Sequence, residues 1–403
     1  MTIGAEAVRY DPYSEAMRRD PYPTYRQMRD RAPAYHDEER DFWALSRFDD
    51  VIAGLHDPET YCSGQGIILE GAATSPYPMI IALDPPRHTD LRKLVARAFA
   101  TKPTAAYEPQ VRALARELIA EFADDGTVDL VPSLSVPLPL MVIGDMLGVD
   151  RAERAWFRHQ TEQLMSQHPS RPESIEAGKA ASVALLARFE DFIEERRRDP
   201  ADDVVSDLIA AEEDGERLTA AEIVGFCYLL ILAGHETTMN LVSNAVLALA
   251  AHPDQRALLL REPERVPDAI EEVLRWDSPM HSQCRTTTRP VELHGQIIPE
   301  GKKVMMLFAS GGRDERVFPD PDRFDVTRPI ERHLSFGHGI HHCLGAPLAR
   351  LEARVAIEEL LAAIPDFAVA VDPGTLPRIV SYMIRGPEAL PLEFTPTAPV
   401  TGP

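Results

Sequence analysis

The chain has 403 residues and a formal charge of −22. So acidic a surface repels phosphate backbones and excludes nucleic acid as a principal partner. No stretch approaches the ~20 apolar residues of a membrane span, so no membrane anchor is expected. The longest apolar run, Ile223 to Gly234, ends at His235 and Glu236. Met1-Thr2-Ile3-Gly4-Ala5-Glu6 lacks the basic and apolar regions of a signal peptide. Four scattered cysteines (Cys62, Cys227, Cys284, Cys343) make no disulfide framework and fit a reducing cytosol, so a cytoplasmic protein is expected. No linker or repeat interrupts the chain, which predicts one domain over 1–403, with 1–19 and 397–403 as peripheral tails and a monomer as the working form. The 35 prolines are nearly double the usual ~5% and favour helices with irregular connections.

In chain order, Asp20-Pro21-Tyr22-Pro23 signals a turn, Arg26 to Arg31 a short helix, Phe42 to Leu45 a strand, and Phe48-Asp49-Asp50-Val51 the start of another helix. Cys62 to Met79 reads as a loop, yet it carries Ile67, Ile68, Leu69 and Met79, and an apolar loop of that length usually covers something. Asp84-Pro85-Pro86-Arg87-His88 then turns into a helix on which His88 and Arg92, four apart, share a face. Over 107–200, amphipathic helices are expected to alternate with breaks at Pro132, Pro137 and Pro139; Leu138 to Leu147 reads as core and Gln160 to Glu176 as a polar loop.

A long helix follows. Thr219 and Glu222 make a capping-box pair and His252-Pro253 a stop, giving about 32 residues and roughly 48 Å at 1.5 Å per residue. It is apolar on every side, as a buried helix should be, but contains Ala233-Gly234-His235-Glu236-Thr237-Thr238. A glycine and a carboxylate inside a buried helix each cost stability. Either they mark a local kink, with threonine hydroxyls bonded to the preceding turn, or they serve a function. Pro267 opens a helix with Glu272 and Arg275 at i,i+3, and strands are expected through Cys284-Arg285-Thr286, Val291 to Leu293 and Lys303 to Met306.

The chemistry concentrates in Phe336-Gly337-His338-Gly339-Ile340-His341-His342-Cys343-Leu344-Gly345. Three glycines let this backbone turn tightly and approach a flat partner. A helical pattern follows, with Leu344, Leu348, Leu351 and Val355 on one face, which predicts Cys343 at a helix N-terminus, where a thiolate is favoured. A buried filler cysteine and a zinc knuckle using His338, His341 and His342 are the competing readings; no second ligand pair at zinc-site spacing is present.

The loop F-G-x-G-x-H-x-C-x-G resembles the haem-binding loop of the cytochrome P-450 family, and the motifs before it match in the right order from about residue 20 to 396. The resemblance implies a mainly α fold with small β sheets, a single triangular domain. It implies haem b with Cys343 as axial iron ligand, and His88, Arg92, Arg285 and His341 on the propionates. It makes Glu236 and Thr237 a proton relay beside a glycine-opened groove for O2. Glu272, Arg275 and Arg323 become a structural ion network. Leu229, Leu232, Met280, Gln283, Met383 and Ile384 become substrate contacts, suggesting an apolar molecule with one polar contact. Gly311-Gly312-Arg313-Asp314-Glu315 departs from the family's usual A-N-R-D-P, at a structural turn.

The activity implied is insertion of one atom of O2 into an apolar small molecule. Electrons would come from NAD(P)H through a ferredoxin and a ferredoxin reductase, because no flavin or nicotinamide module is present. A basic set of Arg92, Lys93, Arg97, Lys102, Arg350 and Arg354 is the expected docking face for the ferredoxin. A peroxide-using or non-oxygenating haem enzyme and a haem or ligand carrier are the alternatives; the Glu236-Thr237 pair speaks against the first.

Overall fold

The computed structural model describes residues 8–70, 77–100, 104–150, 152–165, 172–213 and 216–396. They form two compact units, one of Met1–Ala73, Pro267–Cys343 and Pro373–Glu388, the other of Thr74–Val266, Leu344–Asp372 and Ala389–Pro403.

The first unit is built on a five-stranded sheet with the order Ala34–Asp37, Phe42–Leu45, Lys303–Leu307, Ser282–Thr287, Tyr61–Cys62. The Phe42–Leu45 and Lys303–Leu307 strands are parallel and every other pair is antiparallel. Because strand side chains alternate, Trp43, Leu45, Val304 and Met306 share one face and pack on Phe48, Val51, Leu55 and Leu334. Phe42, Ala44, Met305 and Leu307 share the other, against Tyr10, Tyr25 and Met28. Both faces are covered, which explains why Phe42 to Leu45 is an unbroken buried run. Gly312 lies against the carbonyl of Arg275, where a Cβ would collide, so glycine is sterically required at that position of the departing segment.

The second unit is helical, with one three-stranded antiparallel sheet, Phe367–Val369, Pro391–Phe394 and Thr127–Asp129. Its long helix is Ala220–Ala251, with the reciprocal cap in place: the Thr219 N–H donates to Glu222 Oε2 at 2.8 Å and the Glu222 N–H to Thr219 Oγ1 at 3.3 Å. It packs against the helices Pro137–Met146, Pro172–Arg198 and Ala346–Ala363. Length and composition alone would let it cross a membrane, but it is the core helix of this unit.

Two sequence expectations are corrected here. Pro132 and Pro137 do not break the chain: a wide turn over Val131–Ser135 runs into the helix Pro137–Met146, with the Val136 N–H on Val131 O at 2.9 Å. Both prolines fall in first turns, where no N–H is required. Gln160 to Met165 is not loop but the end of the helix Arg154–Met165, supported by an Arg158–Glu162 pair at 2.7 Å. The next helix begins at Pro172, and the rest of that expected loop, 166–171, lies outside the described residues.

Candidate active site

In the first unit, the loop before Cys343 is pinned by its own backbone. The Gly337 N–H donates to Leu334 O at 2.7 Å, the His342 N–H to Gly339 O at 3.1 Å, and the Cys343 N–H to Phe336 O at 2.9 Å. Gly337 and Gly339 have φ of 63° and 69°, the left-handed region where a side chain is strained. A Cβ on Gly339 would also strike the carbonyl of Leu55, so that glycine is needed for packing on the helix Phe48–Leu55. The next helix starts at Ala346, so Cys343 precedes it by three residues rather than opening it.

Two competing readings fail on this geometry. Cys343 is exposed whereas Cys62, Cys227 and Cys284 are buried, so it is no core filler. No group of three or more His, Cys, Asp or Glu able to hold a metal ion exists among the described residues. His338 is a structural residue: its Nε2 lies 3.0 Å from His333 O, and burial lowers its pKa. His341 Nε2 lies 3.1 Å from Ser63 Oγ. Arg285 is buried at 3% exposure on the strand Ser282–Thr287 and donates through Nη1 to Cys284 O at 2.7 Å. One accessible soft donor with no companion ligand suits a metal carried in by a prosthetic group better than a protein-only site.

Met280 and Ile384 are bridged antiparallel, the His281 N–H donates to Met383 O at 2.6 Å, and the Ser282 hydroxyl to Tyr382 O at 3.1 Å. Segments 280–283 and 381–384 therefore run side by side, and Met280, Gln283, Met383 and Ile384 are all partly exposed.

The ion network also belongs to this unit and needs a correction. Arg275 donates to both oxygens of Glu272 at 2.7 Å each, and to the carbonyls of Gly312, Pro321 and Arg323. The Arg323 side chain, 62% exposed, instead pairs with Asp325 at 3.3 Å. The second guanidinium on Glu272 is that of Arg328, at 3.3 Å. The turn from Pro319 to Arg323 offers carbonyls to both arginines, so Arg323 contributes its backbone while its side chain leaves. No sequence signal singled out Arg328.

In the second unit, His88 and Arg92 lie on the helix Arg87–Ala100, and His88 is buried at 2% exposure. Burial, then the neighbouring Arg92, lowers its pKa and keeps it neutral. On the long helix, Ile231, His235 and Thr238 are buried, while Leu229, Leu232, Glu236 and Thr237 are partly exposed and Ala233 is exposed. That spacing is one helix face, and an accessible face in the middle of a core helix requires open space beside it. Burial pushes the Glu236 carboxyl up to about 7. The Thr237 hydroxyl donates to Ala233 O at 2.7 Å, and Asn240 Nδ2 to Glu236 O at 2.8 Å. Glu236 and Thr237 both lie on this face.

Gly234 does not open the groove. A Cβ there would meet Ile143 Cδ1 at 3.0 Å, so the glycine admits the neighbouring helix, and Ala233 carries the exposed surface. His235 Nε2 contacts Val136 O at 3.1 Å, and burial pushes its pKa down to about 4. The basic set is smaller than expected: Arg354 pairs with Glu108 at 2.6 Å and Glu358 at 3.1 Å, and Lys102 lies outside the described residues. Lys93 and Arg97 are exposed.

Comparison with known proteins converges with this geometry. The Cytochrome P450 family profile matches residues 168–381. Cytochrome P450 monooxygenase PikC of Streptomyces venezuelae is 40% identical over 385 residues, 93% of this chain and 91% of its own. The Vitamin D(3) 25-hydroxylase of Pseudonocardia autotrophica is 38% identical over 403 residues, 98% of each chain. Among solved structures, cytochrome P450 CYP109Q5 from Chondromyces apiculatus superposes with a TM-score of 0.89 at 37% identity, over 97% of this chain and 99% of its own. CYP109E1 from Bacillus megaterium, in complex with testosterone, gives 0.85 at 36% identity, over 93% and 99%. Near-complete coverage at this identity carries both fold and reaction class, and the family implies haem iron: the chain belongs to the cytochrome P450 family and is a haem-thiolate monooxygenase.

Proposed function

We propose that the Cys343 thiolate would hold haem b and that the enzyme inserts one oxygen atom from O2 into an apolar small molecule, with NAD(P)H electrons delivered by a ferredoxin and its reductase. The observation that carries this reading is the single exposed thiol among four, on a loop whose glycines are fixed by backbone contacts. When bound, the haem would supply activation of O2, tuned by the Cys343 thiolate that holds it. Arg92, Arg285, His88 and His341 supply cationic and neutral donors suited to propionate carboxylates. Thr237 holds a hydroxyl whose proton rests on Ala233 O, leaving its lone pairs to accept a hydrogen bond, and Glu236 holds an exchangeable proton near neutral pH.

The partly exposed Leu229, Leu232, Met280, Met383 and Ile384 favour an apolar substrate, with Gln283 as the polar contact. The names of relatives point the same way: a vitamin D(3) hydroxylase, CYP109E1 complexed with testosterone or corticosterone, and P450BioI with a hexadecenoyl chain on its carrier protein. A steroid-like or long acyl substrate is the reading we favour. The four cysteines, none of them in a disulfide, support a cytoplasmic location. The deciding experiment is the ferrous carbon monoxide spectrum. Wild type should show the red-shifted Soret band of a thiolate-bound haem, and Cys343→Ser should lose it. Absence of the band in wild type refutes the assignment. Steroids and fatty acids titrated against the ferric enzyme should give a low-spin to high-spin shift in at least one class.

A further inference from the structure

A second polar cleft lies within the first unit, between the N-terminal segment and the chain around 378–385. It is narrow and opens to solvent, and Tyr25, His281, Arg378 and Arg385 line it together with apolar Met17 and Ile379. Two of its nitrogens have no hydrogen-bond partner among the described residues. His281 is buried at 5% exposure; its Nδ1 lies 3.3 Å from the Tyr25 hydroxyl, and its Nε2 has no partner among the described residues. Arg378 Nη1 is likewise buried without a partner among the described residues.

The nearby charges are otherwise matched. Arg385 pairs with Asp277 at 3.0 Å and caps the backbone carbonyl of Arg19 at 3.1 Å. The Tyr22 hydroxyl occupies the same Asp277 oxygen at 2.6 Å. Arg378 is partly exposed and makes no ion pair among the described residues, so Arg378 and Arg385 share the single negative charge of Asp277. Burial and the like charge of Arg385 weigh against the charged form of Arg378, and the charge of Asp277 favours it. His281 is neutral, since burial pushes its pKa down to about 3. In the tautomer whose Nδ1 accepts from the Tyr25 hydroxyl, the ring carries its proton on Nε2 and offers a donor to the cleft.

We propose that this cleft binds the carboxylate of a small organic acid, with Arg378 and His281 Nε2 as donors. A buried guanidinium N–H and a buried ring N–H without partners each cost free energy until an acceptor arrives. A carboxylate supplies two acceptor oxygens and one negative charge, matching the one positive charge by which Arg378 and Arg385 exceed Asp277, whereas a phosphate dianion would lose more hydration in so narrow a site. Met17 and Ile379 provide apolar walls for the short carbon chain of such an acid. The occupant would also tie the helix Glu15–Arg19, already held by Arg385, to the 378–385 segment. The proposal is independent of the haem assignment.

The test uses the haem-loaded full chain and sodium acetate, titrated at constant ionic strength against sodium chloride. Wild type should show a saturable rise in Tm and saturable broadening of the acetate methyl signal in NMR. Arg378→Gln should raise the apparent Kd at least tenfold, and Arg378→Lys, which keeps the charge but loses the fork, should fall between. Should Arg378→Gln fail to fold, Arg378→Lys and His281→Gln decide, and unchanged affinity in both overturns the site. A response that tracks ionic strength alone, or equals wild type in Arg378→Gln, means that the cleft holds only water and refutes the proposal. Inorganic phosphate binding as tightly as acetate overturns the carboxylate assignment.

Discussion

Glu272 and Arg275 face each other one helical turn apart, joined by two N–H···O bonds of 2.7 Å, and neither side chain reaches solvent. The remaining guanidinium protons go to carbonyls from the 312–323 segment, so the pair closes a chain excursion of some fifty residues. Removing one partner strands a buried charge. Glu272→Gln or Arg275→Leu should cost about 3–5 kcal/mol of stability. Arg323→Ala should cost under ~1 kcal/mol, because an exposed pair is worth little. Arg328→Ala should fall between these. Urea midpoints of the four proteins check the order, and an Arg323 variant as damaged as Arg275→Leu would contradict the network described here.

Glu236 and Thr237 make distinct predictions. With its carboxyl pushed up to about 7, Glu236 is mostly protonated below that pH and mostly ionised above it. Product formation should therefore change between about pH 6 and 8, and Glu236→Gln should be slower by roughly 10²-fold and flat across that range. Thr237→Ala should keep haem and substrate binding while NAD(P)H consumption continues and hydrogen peroxide replaces product. Full product yield per NAD(P)H in that variant would remove Thr237 from the relay.

Glu352 gives a pH signature without catalysis. It is 2% exposed on the helix Ala346–Ala363, its Oε2 has no partner among the described residues, and burial pushes its pKa up to about 8. Between its unfolded pKa and that value, the native state keeps a proton that the unfolded chain has lost. Stability should therefore fall as pH rises from about 5 to 8, by at most about 1.4 kcal/mol per pH unit from this group. Glu352→Gln should flatten that slope, as read from denaturant midpoints at pH 5, 6, 7 and 8.

Electron delivery should depend on Lys93 and Arg97, the exposed basic residues of the helix Arg87–Ala100. Reversing both to Glu should slow ferredoxin-dependent reduction, and raising salt should slow the wild type. Reversal of Arg354 should lower stability instead, because it already bonds Glu108 and Glu358. Stopped-flow reduction at two ionic strengths separates these outcomes.

The long helix, the Phe42–Leu45 strand and the cysteine loop were all legible in the residues, because each is signalled within a few positions. Thr219 and Glu222 cap one another across one turn, His252-Pro253 ends the helix, and the glycines at 337 and 339 mark a backbone that side chains would strain. These signals are local hydrogen bonds and local sterics, so sequence alone determined them. The choice of partners was different. Arg328 rather than Arg323 reaches Glu272 because a turn far from the helix presents its carbonyls to both guanidinium groups. Gly234 admits Ile143 instead of opening a groove because another helix crosses there. Arg354 left the basic set because carboxylates from its own helix and from Glu108–Ala120 surround it. In each case equivalent side chains were available along the sequence, and only packing between distant elements decided which was buried, which was paired and which was left to solvent.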